Sequence, residues 1–388
     1  MARPTYASKV ELDEVTRGAA AAFDYGSDSQ GTHVQFDGTR TFLGWEKPSL
    51  PSGFAIGLIV GPSGSGKTLL LRQFGEEEIP VWNPNKAVAS ASHFTDVADL
   101  TRRLGAVGLN SVPSWCSPYQ VLSNGEKFRA DCARKLKDGA VIDEFTSVVD
   151  RTVAKSISVA LRRYADNGGV QNLVLASCHY DILPWLMPDW YFDTVDGLLH
   201  DRGSLRRPDI FLRVYPCQRS IWRLFAAHHY YSQEIAQSSR TFLATAEFDG
   251  YEELVGFIAS LPMPSGTLKN AWRASRTVVL PDFQGLGIGP RISDMVADIH
   301  RNEGKRYYSK TTSDRLGGWR NSPHWCDLCG RLHTLWVGTS KAGIKGGKRL
   351  YVRPDSLTAI NTYGGKRREG YYSHEFIGCA DGDEWASS

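Results

Sequence analysis

One stretch decides the fold of the N-terminal half: Gly61-Pro62-Ser63-Gly64-Ser65-Gly66-Lys67-Thr68. It fits the pattern G-x-x-x-x-G-K-[ST], with an apolar run at Phe54–Val60 before it and a helical segment at Leu69–Phe74 after it. Glycines let the backbone wrap closely around phosphates, and the N–H groups at the start of a helix stabilise negative charge. The stretch therefore predicts a strand–loop–helix unit that binds the phosphates of a nucleotide.

The residues of this loop have separate expected roles. Lys67 should reach the β and γ phosphates of ATP, and the hydroxyl of Thr68 should ligate Mg²⁺. The phosphates are expected to lie against the backbone of Gly61, Ser63, Gly64, Ser65 and Gly66.

A second apolar run ends in two carboxylates, at Val141-Ile142-Asp143-Glu144. Asp143 is expected to hold Mg²⁺, usually through water, and Glu144 to polarise the attacking water as a general base. An apolar run ending in Asp-Glu is weak evidence alone. Beside the phosphate loop it predicts a site that hydrolyses ATP.

Two further segments resemble the ABC ATPase family. Leu122-Ser123-Asn124-Gly125-Glu126 is similar to the signature LSGGQ, with Asn124 and Glu126 replacing the usual Gly and Gln. Glu144–Asp150 resembles the segment from the catalytic Glu to the D-loop, and His179 falls where the family has its switch histidine. The resemblance covers about residues 30–195.

This resemblance implies a head-to-tail dimer, of which a homodimer is the simplest form. Ser123 and Gly125 of one subunit would cap the ATP held by Lys67 of the other, with Asp150 in the same site. The aromatic candidates for the adenine are Trp45 and Phe42.

Several features favour a soluble ABC ATPase over a transporter subunit. Only 53 residues separate Thr68 from Leu122, and no Q-loop glutamine can be placed there. The sequence has no basic-then-apolar signal peptide and no apolar run of the ~18 residues that span a membrane. Seven thinly spread cysteines fit a reducing compartment. The expected location is the cytoplasm of a bacterial or phage-infected cell, and a transporter subunit stays as an alternative.

The chain of 388 residues is long enough for two domains. It turns polar and basic near Asp201–Pro208, which predicts an ATPase domain at 1–205 and a second domain at 206–388. Short apolar runs separated by helical stretches predict a mostly parallel sheet in the first domain, and the expected class is α/β followed by α+β.

The second half contains another glycine-rich loop, Gln284-Gly285-Leu286-Gly287-Ile288-Gly289. It follows a strand and opens an amphipathic helix at about Pro290–Asn302, and it resembles the Q/R-x-x-G-x-G/A motif of the GNAT acetyltransferase superfamily. The resemblance implies a GNAT α+β domain whose bare amides hold the pyrophosphate of acetyl-CoA or another acyl donor. A glycine turn in some other α/β domain is the alternative. The expected donor-binding set is Val278, Val279, Leu280, Gln284, Gly285, Leu286, Gly287, Ile288 and Gly289.

GNAT folds use few fixed catalytic side chains: a strand amide polarises the thioester, and a carboxylate, histidine or tyrosine moves protons. The main candidates are His228, His229 and Tyr230, which lie on a segment predicted to be helical. They resemble a stretch of phage Mom-like GNAT proteins that modify DNA adenine. The alternative is a helical aromatic patch that packs against the sheet. Further candidates are Tyr307, Tyr308 and Ser309.

Cys326-x-x-Cys329-Gly resembles one knuckle of a zinc ribbon, with His333 as a possible third ligand. No second C-x-x-C exists, so two reduced thiols in a turn are the alternative.

The C-terminal part is basic, with fifteen Lys and Arg against four Asp and Glu from Arg301 to Arg368. Lys341–Arg353 and Lys366–Arg368 mix these charges with glycines and Tyr351, which indicates nucleic-acid binding; a solvated basic surface is the alternative.

The combination resembles ABC-type ATPases fused to a GNAT domain in phages and mobile elements. The leading hypothesis is an ATPase–acyltransferase that acts on nucleic acid or nucleobases. A binding module with a non-catalytic GNAT fold is the second hypothesis, and the transporter subunit is the third.

Overall fold

The computed structural model describes residues 8–11, 13–22, 33–36, 45–229, 234–248, 250–264, 268–311, 314–326, 331–339, 344–345, 348–349 and 371–378. The chain divides into two compact units. The N-terminal unit comprises Met1–Val107 and Tyr119–Pro208, and the C-terminal unit comprises Gly108–Pro118 and Asp209–Ser388.

The helices of the described residues are α1 (Glu14–Ala22), α2 (Lys67–Arg72), α3 (Val97–Ala106), α4 (Val112–Trp115), α5 (Asn124–Lys135), α6 (Arg151–Asp166), α7 (Leu183–Leu186), α8 (Ile288–Asn302) and α9 (Asp314–Asn321). The strands of the same residues are β1 (Ser8–Glu11), β2 (His33–Phe36), β3 (Ile56–Val60), β4 (Val141–Ile142), β5 (Leu173–Ser177), β6 (Trp190–Asp193), β7 (Leu198–Asp201), β8 (Phe211–Pro216), β9 (Arg240–Phe248), β10 (Tyr251–Pro262), β11 (Ala271–Val279), β12 (Arg306–Thr311), β13 (His324–Cys326), β14 (Arg331–His333), β15 (Trp336–Gly338), β16 (Ile344–Lys345), β17 (Lys348–Arg349) and β18 (Tyr371–Phe376).

The main sheet of the N-terminal unit has the strand order β4-β5-β3-β6-β7. β4, β5, β3 and β6 run parallel, and β7 pairs antiparallel at the edge. Every residue of β3 and β5 is buried, as expected for parallel strands that are covered on both faces. Because parallel strands end at the same edge, the loops after β3, β4 and β5 meet there.

The core of this unit holds helix α2 against the sheet. Leu70 and Leu71 of α2 pack with Ile59, Val174 and Trp190. This packing fixes the helix that follows the phosphate loop. The apolar residues before and after the loop in the sequence therefore pack together in one core.

The C-terminal unit is built on a nine-stranded mixed sheet with the order β16-β17-β18-β12-β11-β10-β9-β8, and β15 also pairs with β18. β11 and β12 run parallel, while the other pairings are antiparallel. Helix α8 packs on one face, with Ile292 close to Gly256 of β10. On the other face, Trp222 and Phe225 pack against Phe257. The α/β fold class with a second α+β part is confirmed.

The helical stretch expected around His228 takes a different form. Arg219–Leu224 and Ala226–His228 are short 3₁₀ turns rather than an α-helix, and Tyr230 lies outside the described residues. Buried Trp222 and Phe225 lie three residues apart, a spacing that suits three residues per turn.

Candidate functional site

The phosphate loop closes with a glycine at the N-cap of α2. Gly66 has φ 93°, and no side chain caps the helix. A side chain at Gly66 would be strained in this left-handed conformation, which glycine adopts freely. Buried Lys67 donates from Nζ to the Pro62 carbonyl across the loop at 2.9 Å. The loop therefore offers backbone N–H groups and one ammonium to an anion.

Two contacts brace this loop from outside its own sequence. The Trp45 indole Nε1 donates to the Ser65 carbonyl at 3.0 Å, and the Thr194 hydroxyl donates to the Ser65 Oγ at 2.6 Å. The Trp45 ring packs edge-on against Phe192, with centroids 5.3 Å apart. Trp45 thus supports the loop backbone, and Phe42 lies outside the described residues. Sequence reasoning missed this brace because nothing near Trp45 marks its partner.

Thr68 and Asp143 come together although 75 positions separate them in the chain. The Thr68 hydroxyl donates to Asp143 Oδ2 at 2.6 Å. A hydroxyl and a carboxylate oxygen side by side are the hard donors that Mg²⁺ prefers, so the residues fit that ion. The described residues contain no group of three His, Cys, Asp or Glu that could hold a metal by themselves. Water and nucleotide oxygens would have to complete the coordination.

Glu144 is exposed and lies two residues after the end of β4, on a backbone that is unusual for its residue type. Its φ is 48°, and Thr146 has φ 70°. Positive φ is rare for a side chain such as threonine and is typical of functional sites. Glu144 Oε2 accepts a hydrogen bond from the Ser147 hydroxyl at 2.5 Å, which orients the carboxylate.

His179 follows β5 and faces the same turn. Its Nδ1 lies 3.4 Å from the Thr146 hydroxyl. Burial, and then the charge of Arg151, lower the pKa of His179, so the imidazole is neutral near pH 7. Arg151 also forms a two-point ion pair with Asp181, two residues after His179, which ties this loop to the start of α6. Sequence reasoning did not predict that pair.

The segments predicted to be the signature and the D-loop each begin a helix in this structure. The Ser123 side chain accepts from the Glu126 backbone, while Glu126 accepts from Ser123, which forms a capping box on α5. Gly125 lies in the first turn of α5. Asp150 caps α6 by accepting from Val153 N at 2.9 Å. The capping box gives Glu126 a structural role at a position where the ABC signature motif has glutamine.

The second glycine loop is held by buried apolar side chains that alternate with glycines. Phe283, Leu286 and Ile288 are buried, whereas Gly285 and Gly287 have φ 99° and 80°. Gly287 is the N-cap of α8, and no side chain caps that helix. The donor-binding set continues into β11 with buried Val278 and with Val279, then Leu280, and into α8 with Gly289. The loop presents backbone amides at the start of a fifteen-residue helix.

Beside this loop, the two parallel strands part. β11 pairs with β12 only from Ala271 to Arg273; beyond that point the described residues of β11 pair with β10, and those of β12 with β18. The register of β10 with β11 skips Ser275, which is therefore a bulge residue. Bulges re-aim backbone groups and are common next to active sites. The parting of the strands and the bulge lie in the same part of the sheet, a feature that the sequence did not reveal.

His229 is half-buried and lies within reach of the charge of Arg276, the residue after the bulge. Its ring packs against Trp222, with centroids 5.7 Å apart. Burial, and then the charge of Arg276, lower the pKa of His229 to about 4. At neutral pH the imidazole is therefore unprotonated and able to accept a proton. His228 ends a 3₁₀ turn with its side chain half-buried, and Tyr230 lies outside the described residues.

The other candidates on β12 belong to the interior. Tyr307 is buried, and Ser309 accepts from Arg320 Nη1 at 2.6 Å. Arg320 is 2% exposed, also donates to Ser293, and lies over the Trp336 ring at 4.1 Å. The Tyr308 pKa is raised to about 12 by burial. These residues join β12, α8 and α9. The sequence around Arg320 has no pattern that predicts this role.

The predicted zinc ligands lie outside the side chains that the structure describes. Cys326 and His333 belong to the paired strands β13 and β14, but their side chains, like Cys329, lie outside the described residues. Most of the basic C-terminal segments, including Lys366–Arg368, also lie outside them. The short strands β16 and β17 add part of the first segment to the sheet beside β18.

Residues 209–320 match the model of the acetyltransferase (GNAT) family. The match includes the bulged strand, the second glycine loop and α8. It is the C-terminal part that resembles GNAT, as the motif implied.

Among solved structures, the chain is similar to a dimeric bacterial ABC transporter cassette, with 14% identity and a TM-score of 0.31, covering 38% of this chain and 84% of that one. A bacterial Atm1-family ABC exporter with ATP bound is 14% identical over 40% of this chain and 34% of its own, with a TM-score of 0.28. A domain from Methanocaldococcus jannaschii is 10% identical over 26% of this chain and 78% of its own, with a TM-score of 0.22. At such scores the ABC-like assignment depends on the motifs and their geometry.

No curated protein sequence matches the chain significantly. Within the described residues, every helix is too short or too polar to cross a bilayer.

Proposed function

We propose that the protein is an ATP-hydrolysing ABC-type ATPase joined to a GNAT-type acyltransferase. One observation carries the proposal: the chain contains two glycine loops that each open a helix with a left-handed, side-chain-free N-cap, at Gly66 and Gly287. Such helix starts bind anions, and the residues around the two loops differ in the chemistry they supply.

At the first loop, this chain's residues would act on the γ phosphate. Lys67 would leave the Pro62 carbonyl and bind the β and γ phosphates, while Thr68 and Asp143 would hold Mg²⁺, which neutralises charge on the phosphates. Glu144 would accept a proton from the attacking water as the bond from the γ phosphorus to the bridging oxygen breaks. Neutral His179 would contact the γ phosphate from the end of β5.

This site is complete only in a head-to-tail homodimer. Ser123 and Gly125 lie at the start of α5, where their backbone groups would cap the nucleotide held by Lys67 of a second copy, and Asp150 would line the same interface.

At the second loop, the backbone of Gln284–Gly289 would hold the diphosphate of an acyl-CoA, and the acyl group would enter between β11 and β12. An acceptor amine attacks the thioester carbonyl, the C–N bond forms, and the C–S bond breaks. His229 would take the proton from the amine, and the departing thiolate receives a proton from solvent. A backbone N–H at the Ser275 bulge would stabilise the oxyanion.

We propose nucleic acid or a nucleobase as the acceptor. The support is the charge of residues 301–368, with fifteen basic and four acidic side chains, beside the acyltransferase motif. This acceptor class does not follow from the fold, which many acceptors share.

The test is mass spectrometry of nucleosides from cells that express the protein. A new acylated nucleoside is expected with the wild type and absent with the Glu144→Gln and Gly287→Asp variants. A wild-type profile identical to both variants, with all three proteins expressed and folded, would exclude the nucleic-acid acceptor and favour a non-catalytic binding module.

A further inference from the structure

The segment Gly108–Pro118 lies in the C-terminal unit, although the chain on both sides of it belongs to the N-terminal unit. It is a compact turn. Ser111 caps α4, and the Trp115 indole Nε1 donates back to the Leu109 carbonyl at 2.8 Å. Leu109, Ser111 and Ser114 are buried, so the segment is an integral part of this unit.

Its contact is with the first residue of the second glycine loop. Asn110 N donates to Gln284 Oε1 at 3.0 Å, and Gln284 Nε2 donates to the Val279 carbonyl at 3.0 Å. The amide of Gln284 therefore links the segment to the end of β11. Both polar atoms of the Gln284 amide therefore form hydrogen bonds that position the loop.

The segment also approaches the loop backbone at Gly108. A Cβ built there would lie 2.6 Å from the Gln284 carbonyl oxygen and 3.6 Å from Gly285 Cα, and the φ of Gly108 is +74°. Because the opposing atoms are backbone, they cannot move aside as a side chain would. Only glycine fits this contact.

In the sequence, the same segment stands between the two ATP motifs. It follows Lys67 and ends five residues before Ser123, the proposed cap for the nucleotide of a second copy. Only four residues separate Pro118 from Ser123, so a change of position at Ser123 has a short covalent route to the contact with Gln284, whereas forty residues lie between Lys67 and Gly108.

We propose that Gly108–Pro118 transmits the nucleotide state of the ATPase to the acyl-donor loop, so that ATP binding changes the affinity for acyl-CoA. The inference rests on the proposed function, since it needs both sites to bind their ligands. Coupling of this kind is reciprocal: acyl-CoA changes ATP affinity by the same factor.

The experiment is calorimetry of acetyl-CoA binding to the full chain, with and without a non-hydrolysable ATP analogue and Mg²⁺. A change of about fivefold or more in the acetyl-CoA dissociation constant is expected for the wild type. Gly108→Ala should bring that ratio close to one, because the new methyl group displaces the segment from Gln284.

Gly168→Ala is the matched control. Gly168 has the same φ of +74° but nothing within 4 Å of a built Cβ, so it carries equal backbone strain without the clash. It should keep the wild-type ratio. Asn110→Pro, which removes the donating N–H, is the second variant in case Gly108→Ala fails to fold.

The outcomes separate the two proposals. If the ATP analogue no longer changes the acetyl-CoA dissociation constant in Gly108→Ala or Asn110→Pro, while each ligand still binds alone, transmission through this segment is supported. A wild-type ratio of one, or a ratio unchanged in both variants, overturns it while leaving the proposed function intact. Failure of the wild type to bind either ligand alone would instead overturn the proposed function.

Discussion

The two glycine loops of this chain share a backbone geometry but differ in the side chains that surround them. Both follow a strand and open a helix through a left-handed glycine, Gly66 before the six residues of α2 and Gly287 before the fifteen of α8. The first loop is surrounded by reactive side chains, namely Lys67, Thr68 with Asp143, and Glu144. The second loop has no charged residue from Gln284 to Gly289 and is anchored by buried Leu286 and Ile288.

Under the proposed function, this difference separates binding from reaction. The first loop would bind ATP and carry the reacting groups in one place. The second loop would only bind the acyl donor, and the reaction would depend on the bulged strand and on His229. A glycine loop in a sequence therefore indicates an anion site, while its neighbours decide whether that site is also the site of reaction.

The largest expected effect is on the reactive loop. Glu144→Gln should lower the ATP hydrolysis rate by about 10³-fold, because an amide cannot take a proton from water. Phosphate release measures the loss. Acetyl-CoA binding in the absence of nucleotide should stay at the wild-type value, and a parallel loss there would show that the variant had damaged the whole chain.

His229→Gln tests the chemistry beside the gripping loop. Acyl transfer should fall about 10²-fold with acetyl-CoA affinity preserved, because the proton acceptor is lost but the diphosphate grip is not. The neighbouring His228→Gln variant should cost less, and equal losses would assign no special role to His229.

The same histidine predicts the pH dependence of transfer. Its pKa of about 4 keeps it unprotonated at neutral pH, so kcat/KM should stay level from pH 7 to about 5 and fall only as the pH drops through 4. A fall centred near the ordinary histidine value of 6.5, still present in His229→Gln, would place the base elsewhere.

Gly287→Asp asks whether the second loop holds a diphosphate. A carboxylate at the N-cap of α8 would repel it, and acetyl-CoA affinity should fall about 10- to 10²-fold with ATP affinity unchanged. Gly304→Asp is the control, since Gly304 follows the end of the same helix with φ +72° and nothing within 4 Å of a built Cβ. If both variants weaken binding equally, the helix start is not the binding site.

The smallest effect concerns the brace of the first loop. Trp45→Phe keeps the packing against Phe192 but removes the hydrogen bond to the Ser65 carbonyl. ATP affinity should fall about two- to tenfold, as expected for one hydrogen bond. If Trp45 instead stacks on adenine, Trp45→Phe should keep nearly the full ATP affinity, because a phenyl ring also stacks, and only Trp45→Ala should lose it.

The sequence predicted both glycine loops and the helices they open, because tight turns, anion grips and amphipathic spacing are local properties. It also assigned Thr68 and Asp143 to one Mg²⁺ ion, and the structure brings these two side chains together. Contacts between residues that belong to no motif and lie far apart in the chain could not be predicted from the sequence. Trp45 with Ser65, the Ser275 bulge and Asn110 with Gln284 depend on register and packing, for which single residues give no pattern.

Calorimetry of the full-length protein with both ligands tests the central claim of two separate grips most directly. One site for the ATP analogue with Mg²⁺ and one for acetyl-CoA per chain are predicted, each ligand still binding when the other is saturating. Competition between the two ligands for a single site would contradict the account. So would the absence of any binding heat for acetyl-CoA and for desulfo-CoA.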